Sequence, residues 1–267
     1  MIKKLLGVGL LMVIIGHNLI SQPTNAKVTA LSVPILMYHK VSPDLRAGGY
    51  GLRVSPDNFE QQIKLLADLG YQSVNLGEVV AFLRQGRPIP EKSVVITFDD
   101  GYRDNFYWAR PILLKYGFRA TFFLVSERVG KTNTWDQAKG SPHLELLNTE
   151  EIRTMVEEGF QFGAHSRTHT RLTDLSAAKA KDQIAGSKGY LEKTLGVPIN
   201  YFCYPYGRYN KLIVDLVRKS GYAAALTTAQ GRVRRGDNIM TLKRIRITGQ
   251  YNQTDFLQAL NNGRESL

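Results

Sequence analysis

Two adjacent carboxylates, Asp99 and Asp100, follow an apolar run and precede a glycine in the stretch S-V-V-I-T-F-D-D-G at residues 93–101. Neighbouring residues of a strand point in opposite directions, so these side chains are not expected to flank one bond as the carboxylate pair of a glycosidase does. They can instead divide two tasks, in which one holds a metal ion and the other moves a proton. A helix N-cap or an Asx turn leading into residues 105–116 is the structural alternative.

Two histidines, His165 and His169, are separated by three residues in the stretch G-A-H-S-R-T-H at 163–169. If this segment turns helical after its strand, the spacing puts both imidazoles on one face, where a single divalent ion can be held. Together with Asp100 they make a set of two histidines and one carboxylate, which leaves ligand positions open for water and substrate. A purely structural role for the histidine pair is the alternative.

The elements that must position these groups are strands of a parallel sheet. Residues 94–98 are β-branched, aromatic or hydroxyl-bearing and uncharged, as in strands covered on both faces, so Asp99 and Asp100 are expected at the carboxyl edge where α/β folds place their chemistry. A pattern of helix, glycine, apolar residue and strand recurs along the chain. It predicts left-handed helix caps at five glycines, namely Gly70, Gly117, Gly159, Gly196 and Gly221.

About seven such alternating units predict one α/β domain, a distorted (β/α) barrel of about seven parallel strands. The long polar segment at 127–148 interrupts the alternation and contains Trp135. Loops of this length are more often functional than accidental. We therefore expect this segment to overhang the carboxyl edge.

The stretches T-F-D-D-G and H-S-R-T-H resemble the first two motifs of the polysaccharide deacetylases with a NodB-type domain, carbohydrate esterase family 4, and the resemblance covers roughly residues 34–260. It implies that Asp100, His165 and His169 hold a divalent metal, usually zinc, and that Asp99 is the general base. The implied reaction is hydrolysis of an N-acetyl group, or less often an O-acetyl group, on a polymeric sugar. The motif pattern is most similar to that of exported poly-N-acetylglucosamine deacetylases.

A third motif of the family resembles F-C-Y-P-Y-G at 202–207, which implies that Tyr206, with Tyr204 and Pro205, forms the substrate and oxyanion region and that the Tyr206 backbone amide is a donor. Read by itself, this run is a turn after a strand. The family's usual arginine, which orients the catalytic aspartate, falls on Cys203. Arg244 is a candidate replacement, although the arginines of the strand predicted over 242–247 are expected to alternate outward.

The family's late histidine, which protonates the leaving amine, is also missing, since no histidine follows His169. His39 is its predicted replacement because it ends a strand in M-Y-H and should reach the same edge. A neutral histidine capping a strand is the alternative, and His143 is expected at the surface. Trp135, Tyr38, Tyr206 and Leu226 are candidates for an apolar wall around the acetyl methyl and the sugar, although aromatic residues are more often core.

The amino terminus has the three regions of a secretory signal: Met1-Ile2-Lys3-Lys4, an apolar run at 5–16 and a polar stretch ending at Ala26. We expect residues 1–26 to be a signal peptide, or else an uncleaved anchor, and residues 27–267 to be the deacetylase domain of an exported protein. Cys203 is the only cysteine, which excludes an internal disulfide and a thiolate metal cluster.

The formal net charge of +12 allows association with anionic envelope polymers or headgroups, or is simply a solvated basic surface. No nucleic-acid-binding motif is present. The expected partner is an N-acetylated polysaccharide, either an exopolysaccharide or peptidoglycan. The alternatives are an O-acetyl esterase acting on xylan-like polymers and an inactive carbohydrate-binding homologue.

Overall fold

The computed structural model describes residues 32–48, 51–135 and 142–263. The predicted signal segment at 1–26 lies outside the described residues. No described helix is long and apolar enough to cross a membrane.

A closed barrel of seven parallel strands forms the centre of the described chain. Around the ring the strand order is β2, β12, β10, β9, β8, β7 and β6, and β6 closes the ring by pairing with β2 along residues Val95–Phe98. The short β5 pairs in parallel with the amino end of β6. Outside the ring, β1 pairs with β11 and β3 pairs with β4. The strands are β1 Ser32–Val33, β2 Ile35–Tyr38, β3 Lys40–Val41, β4 Arg53–Val54, β5 Gln72–Ser73, β6 Ser93–Phe98, β7 Thr121–Leu124, β8 Gln161–Ala164, β9 Tyr201–Cys203, β10 Ala224–Gln230, β11 Val233–Arg234 and β12 Leu242–Arg246.

Helices follow most of the barrel strands, and local sequence signals fix their ends. The cap at Asn75 and the cap at Asn148 both form capping boxes, with Glu78 and Glu151 respectively. The five glycines predicted to end helices all have positive φ, between 70° at Gly196 and 87° at Gly159. The helices are α1 Pro56–Asp68, α2 Leu76–Gln85, α3 Asp104–Tyr107, α4 Ala109–Lys115, α5 Thr149–Glu157, α6 Ala177–Leu195, α7 Lys211–Lys219 and α8 Gln253–Asn262.

Two buried clusters divide the core according to the alternation of the strands. In β6, Val94, Ile96 and Phe98 belong to the larger cluster, which contains the apolar faces of the surrounding helices. Val95 belongs to the smaller cluster inside the barrel, where residues of α2 also pack. Asp99 has the same parity as Val95, so its side chain points into the barrel at the carboxyl end of β6.

The interior is too narrow for a side chain at every inward position. A Cβ on Gly163 of β8 would lie 2.5 Å from Cε1 of Phe123 and 2.9 Å from the carbonyl oxygen of Tyr201. Glycine at this position therefore allows β8 to pass close to the Phe123 ring, and it sets the path of the strand that leads into His165.

Candidate active site

The two aspartates face one cavity because the backbone changes hand between them. Asp99 continues the inward face of β6, and its amide donates to the carbonyl oxygen of Tyr38 at 3.0 Å. Asp100 then takes a left-handed conformation with φ of 73°, followed by Gly101 at 75°. An ordinary strand would send Asp100 outward, so this left-handed residue brings both carboxylates to the same cavity. Backbone strain of this kind is characteristic of functional sites.

Asp100, His165 and His169 converge on one point. Oδ1 of Asp100 lies 3.1 Å from Nε2 of His169 and 3.4 Å from Nε2 of His165, and all three side chains are buried. This Oδ1 is a buried atom with no hydrogen-bond partner. Three potential ligand atoms are thus directed at each other rather than at donors in the protein.

The histidine segment is not helical, and that part of the prediction is wrong. The loop after β8 instead has two left-handed residues, Ser166 with φ of 63° and His169 with φ of 62°. The Ser166 hydroxyl accepts a hydrogen bond from the His169 amide at 3.0 Å, which holds the turn. A tight loop therefore brings the two imidazoles together where a helical turn was expected.

The outward nitrogens of both imidazoles have fixed partners. Nδ1 of His165 lies 2.7 Å from the carbonyl oxygen of Cys203, and Nδ1 of His169 lies 3.1 Å from the hydroxyl of Tyr206. A carbonyl oxygen only accepts, so Nδ1 of His165 carries a proton, and its Nε2 is the nitrogen that faces Asp100. Burial raises the pKa of Asp100, but His169 and His165 outweigh it and hold this pKa well below its usual range. Asp100 Oδ1 and the two imidazole nitrogens that face it form a set of ligand atoms that a cation between them would complete.

A divalent metal fits these residues. Tetrahedral zinc bonds of about 2.0–2.2 Å would separate neighbouring ligand atoms by about 3.3–3.6 Å. The separations of 3.1 and 3.4 Å between Asp100 and the imidazoles approach this range without further movement. Asp99, His165 and Cys203 form a second group close enough to share an ion. Both oxygens of Asp99 are already occupied by other donors, so the Asp100 set fits a metal better.

Arg244 points into the barrel, and the prediction that the arginines of this strand alternate outward is wrong for this residue. Its Nη1 donates to Oδ1 of Asp99 at 2.8 Å, and its Nη2 donates to Oδ2 at 2.7 Å. Nη2 also donates to Sγ of Cys203 at 3.1 Å. The remaining donors reach Oγ1 of Thr97 at 3.2 Å and the carbonyl oxygen of Thr227 at 2.9 Å. The structure therefore places Arg244, from β12, against Asp99 beside the cysteine that stands where the family has its arginine.

This ion pair determines the charge of Asp99. Burial alone would raise the pKa of Asp99, but the adjacent Arg244 guanidinium lowers it to about 2. The same pair raises the pKa of Arg244, against the effect of its burial. Burial raises the pKa of the Cys203 thiol. The carboxylate of Asp99 is therefore ionised at neutral pH, and Cys203 is a neutral neighbour.

His39 lies at the carboxyl end of β2 and lines the same cavity, which has a volume of about 280 Å³. Burial lowers the pKa of His39 to about 4, although Asp100 and Asp99 act in the opposite direction. The imidazole is therefore neutral at neutral pH. A larger cavity of about 500 Å³ around Ser73, Arg119 and Gln161 contains none of the predicted site residues.

The predicted apolar wall is half right. Trp135 lines the cavity and lies 4.5 Å from the His169 ring between centroids, and the Tyr206 ring contacts His169 from another side. Tyr38 and Leu226 do not line it. Tyr38 is buried behind β2, where its hydroxyl donates to Gln62, because its parity turns it toward the helices. Leu226 is buried inside the barrel below the cavity.

The remaining predicted residues differ in how they relate to the cavity. Tyr204 lines it, but its hydroxyl donates to the carbonyl oxygen of Met240 at 2.9 Å. Pro205 is buried and is not a lining residue. Tyr206 has a left-handed φ of 58° in the turn after β9. His143 is exposed, as predicted.

Sequence reasoning missed three lining residues, Leu52, Thr228 and Arg246. Arg246 has the same parity as Arg244 in β12 and ends the strand, so it belongs at the carboxyl edge. That signal was readable from the sequence. Leu52 lies in a turn outside the barrel, and no sequence pattern connects it with the site.

Comparisons with known proteins agree with this geometry. The family model described as polysaccharide deacetylase matches residues 86–225. A putative polysaccharide deacetylase of Bacillus subtilis, YxkH, is 33% identical over 81% of this chain and 71% of its own length. A poly-beta-1,6-N-acetyl-D-glucosamine N-deacetylase of Staphylococcus aureus is 27% identical over 73% of this chain and 68% of its own.

Among solved structures, the deacetylase PplD of Streptococcus pyogenes in complex with acetate is similar, with a TM-score of 0.75 and 30% identity. The match covers 87% of this chain and 99% of that one. The barrel and its site geometry are thus accompanied by similarity to polysaccharide deacetylases both in sequence and in structure. The chain belongs to the polysaccharide deacetylase family.

Proposed function

We propose that this protein is an exported, metal-dependent N-deacetylase that hydrolyses N-acetyl groups of an N-acetylglucosamine-containing glycan. The observation that carries the proposal is the convergence of two imidazole Nε2 atoms on the unpartnered Oδ1 of Asp100. These two histidines and one carboxylate can hold a metal ion, and the neighbouring ionised carboxylate of Asp99 is held by other partners. Such an arrangement suits metal-assisted hydrolysis.

Asp100, His165 and His169 would hold the ion, and zinc suits two imidazoles and one carboxylate. Such an ion supplies Lewis acidity, which polarises the acetyl carbonyl and lowers the pKa of water. The fixed Nδ1 partners of the two histidines keep their Nε2 atoms aimed at the site. The protein thereby preorganises the ligands before any ion arrives.

Asp99 is the proposed general base, which removes the proton of the attacking water. Arg244 keeps this carboxylate ionised and fixes its plane through two parallel hydrogen bonds. A pKa of about 2 keeps Asp99 ionised at neutral pH, so that it can accept a proton from the water.

His39 is the proposed proton donor to the leaving nitrogen. The imidazole is neutral at the start because its pKa is about 4, so the proton that it gives to the nitrogen is the one that Asp99 takes from the attacking water and passes on through the cavity. The backbone amide of Tyr206 is the proposed donor to the developing oxyanion. Trp135 and the Tyr206 ring would contact the acetyl methyl or the sugar face.

The choice of an N-acetyl substrate rests on the similarity to the Staphylococcus aureus poly-beta-1,6-N-acetyl-D-glucosamine N-deacetylase. Export rests on the three-part pattern of residues 1–26. The net charge of +12 supports contact with an anionic envelope surface. The glycan would be an exopolysaccharide or peptidoglycan.

The test is acetate release by the zinc-loaded protein from poly-N-acetylglucosamine, chitin oligomers, peptidoglycan and acetylxylan, with free amine assayed in parallel. Acetate with an equal amount of new amine on one glycan supports the proposal and identifies its substrate class. Acetate from acetylxylan without amine would make the protein an O-esterase. No acetate from any polymer, despite one bound zinc per chain, would favour an inactive carbohydrate-binding homologue.

A further inference from the structure

Strand β12 directs two arginines into the barrel, one above the other. Arg244 lies deeper, and all five N–H donors of its guanidinium have partners in Asp99, Cys203, Thr97 and Thr227. Arg246 follows two residues later at the end of the strand and lines the catalytic cavity. The same strand face therefore supplies one saturated arginine below the cavity and a second arginine at the cavity itself.

Arg246 has no such set of partners. Its Nε is buried and makes no hydrogen bond. Its backbone amide donates to Oε1 of Gln230 at 3.3 Å, and its strand neighbour across the ladder is Met37 of β2. Within the described parts of the chain, no carboxylate lies within 4.0 Å of its guanidinium as an ion pair.

The charge of Arg246 is not balanced inside the cavity. An arginine side chain stays protonated in proteins, so it cannot relieve its burial by losing a proton. Among the described residues two carboxylates line the cavity, of which Asp99 is bound by Arg244 and Asp100 faces the histidines. The positive charge of Arg246 reaches His39, since it contributes to lowering the pKa of that imidazole. Within the part of the chain that the structure describes, the cavity therefore presents a cation without an ion-pair partner beside the reacting groups.

A planar guanidinium matches a carboxylate or a phosphate through two parallel hydrogen bonds. We propose that Arg246 is the centre of an oxyanion-binding subsite that takes an acidic group of the glycan, a carboxylate or a phosphate, next to the acetamido group that is hydrolysed. The proposal deepens the proposed deacetylase function and rests on it. It assigns the preferred substrate to acidic N-acetylated glycans rather than to neutral homopolymers.

The test compares two substrates that differ only in charge. One is a tetrasaccharide of alternating N-acetylglucosamine and N-acetylmuramic acid with free carboxyl groups, and the other is its methyl ester. kcat and KM for acetate release are measured with zinc-loaded wild type, Arg246→Gln and Arg246→Lys. Lys243→Gln is the matched control, because it removes one positive charge from the exposed face of the same strand. Thermal unfolding of each variant verifies its fold.

We expect wild type to prefer the free acid over the ester by at least about tenfold in kcat/KM, mainly through KM. Arg246→Gln should reduce this preference to near one, Arg246→Lys should retain part of it, and Lys243→Gln should retain all of it. No preference in wild type, or an equal loss on both substrates in Arg246→Gln, would overturn the proposal.

Two further measurements distinguish binding of the acidic glycan from binding of free anions and from a lack of deacetylase activity. Acetate and inorganic phosphate are tested as inhibitors; if Arg246→Gln abolishes their inhibition without changing the preference for the free acid, the subsite holds free anions, and the glycan assignment is wrong. If wild type releases acetate from a neutral N-acetylated polymer but from neither tetrasaccharide, the assignment to acidic glycans is wrong. If it releases acetate from none of these substrates, the deacetylase proposal fails. Calorimetric titration of the free acid then decides the subsite separately, since at least tenfold weaker binding by Arg246→Gln supports it and equal binding overturns it.

Discussion

The guanidinium of Arg244 donates hydrogen bonds to both carboxylate oxygens of Asp99 inside the barrel, with N–O distances of 2.8 and 2.7 Å. Both side chains are almost completely removed from solvent. Breaking a buried pair of this kind leaves an uncompensated charge, which typically costs about 3–5 kcal/mol. The contact therefore matters both for stability and for the position of Asp99.

Replacement of Arg244 should harm folding and catalysis together. We expect Arg244→Met to lower the free energy of unfolding by about 3–5 kcal/mol. Arg244→Lys keeps the charge but loses the two-point geometry, so its kcat should fall by about 100-fold even where it folds. Urea unfolding and acetate release measure the two effects, with Arg234→Lys, at an exposed position of β11, as control. Wild-type kcat in Arg244→Lys would mean that Asp99 needs only a nearby positive charge.

His39 should be required for turnover but not for metal binding. His39→Ala is expected to reduce kcat by at least about 100-fold, because the leaving nitrogen loses its proton donor. Metal content should remain at the wild-type value, since His39 is not in the converging ligand set. His143→Ala, at an exposed position, is the control. Normal turnover in His39→Ala would reduce His39 to a structural role at the end of β2.

Gly163 should not tolerate a methyl group. Gly163→Ala places a Cβ 2.5 Å from the Phe123 ring, and such overpacking typically costs about 1–3 kcal/mol. Gly189→Ala in α6 meets no atom within 4 Å and should be neutral or stabilising by up to about 1 kcal/mol. Thermal unfolding of the two variants compares a crowded strand with an open helix. Equal stability of the pair would show that β8 has room to shift.

Asp104 at the start of α3 should make stability depend on pH. Burial raises the pKa of Asp104 to about 7, although Lys40 acts in the opposite direction. Its favourable contribution is therefore full below the unfolded pKa of about 4 and is lost as the pH rises to about 7.

The neutral variant Asp104→Asn isolates this effect, because the other groups cancel in the comparison with wild type. Its free energy of unfolding relative to wild type should rise by about 3 kcal/mol between pH 4.5 and pH 7.5. Urea unfolding at the two pH values measures the change. A difference that does not vary with pH would show that Asp104 is solvated or paired.

The sequence was sufficient for the barrel and for the edge at which the site lies, because strand alternation and glycine caps are local signals. It was not sufficient for the loops that shape the site. The left-handed residues Asp100, Ser166 and His169 are not glycines, and the modest preference of Asp and His for this conformation does not single out these positions in the sequence. The position of Arg244 conflicted with the expectation that arginine lies outside, and only the distant partner Asp99 makes its burial favourable.

The most direct test of the central claim is a zinc titration of metal-stripped wild type, Asp99→Asn and Asp100→Ala, with bound metal and acetate release measured together. Wild type should bind one zinc per chain and gain activity in proportion. Asp99→Asn should bind the zinc but release acetate at a rate at least about 100-fold lower than wild type. Asp100→Ala should neither retain zinc nor release acetate. Full activity of the metal-stripped wild type, or of either variant, would contradict the claim that Asp99 accepts the proton while Asp100 binds the metal.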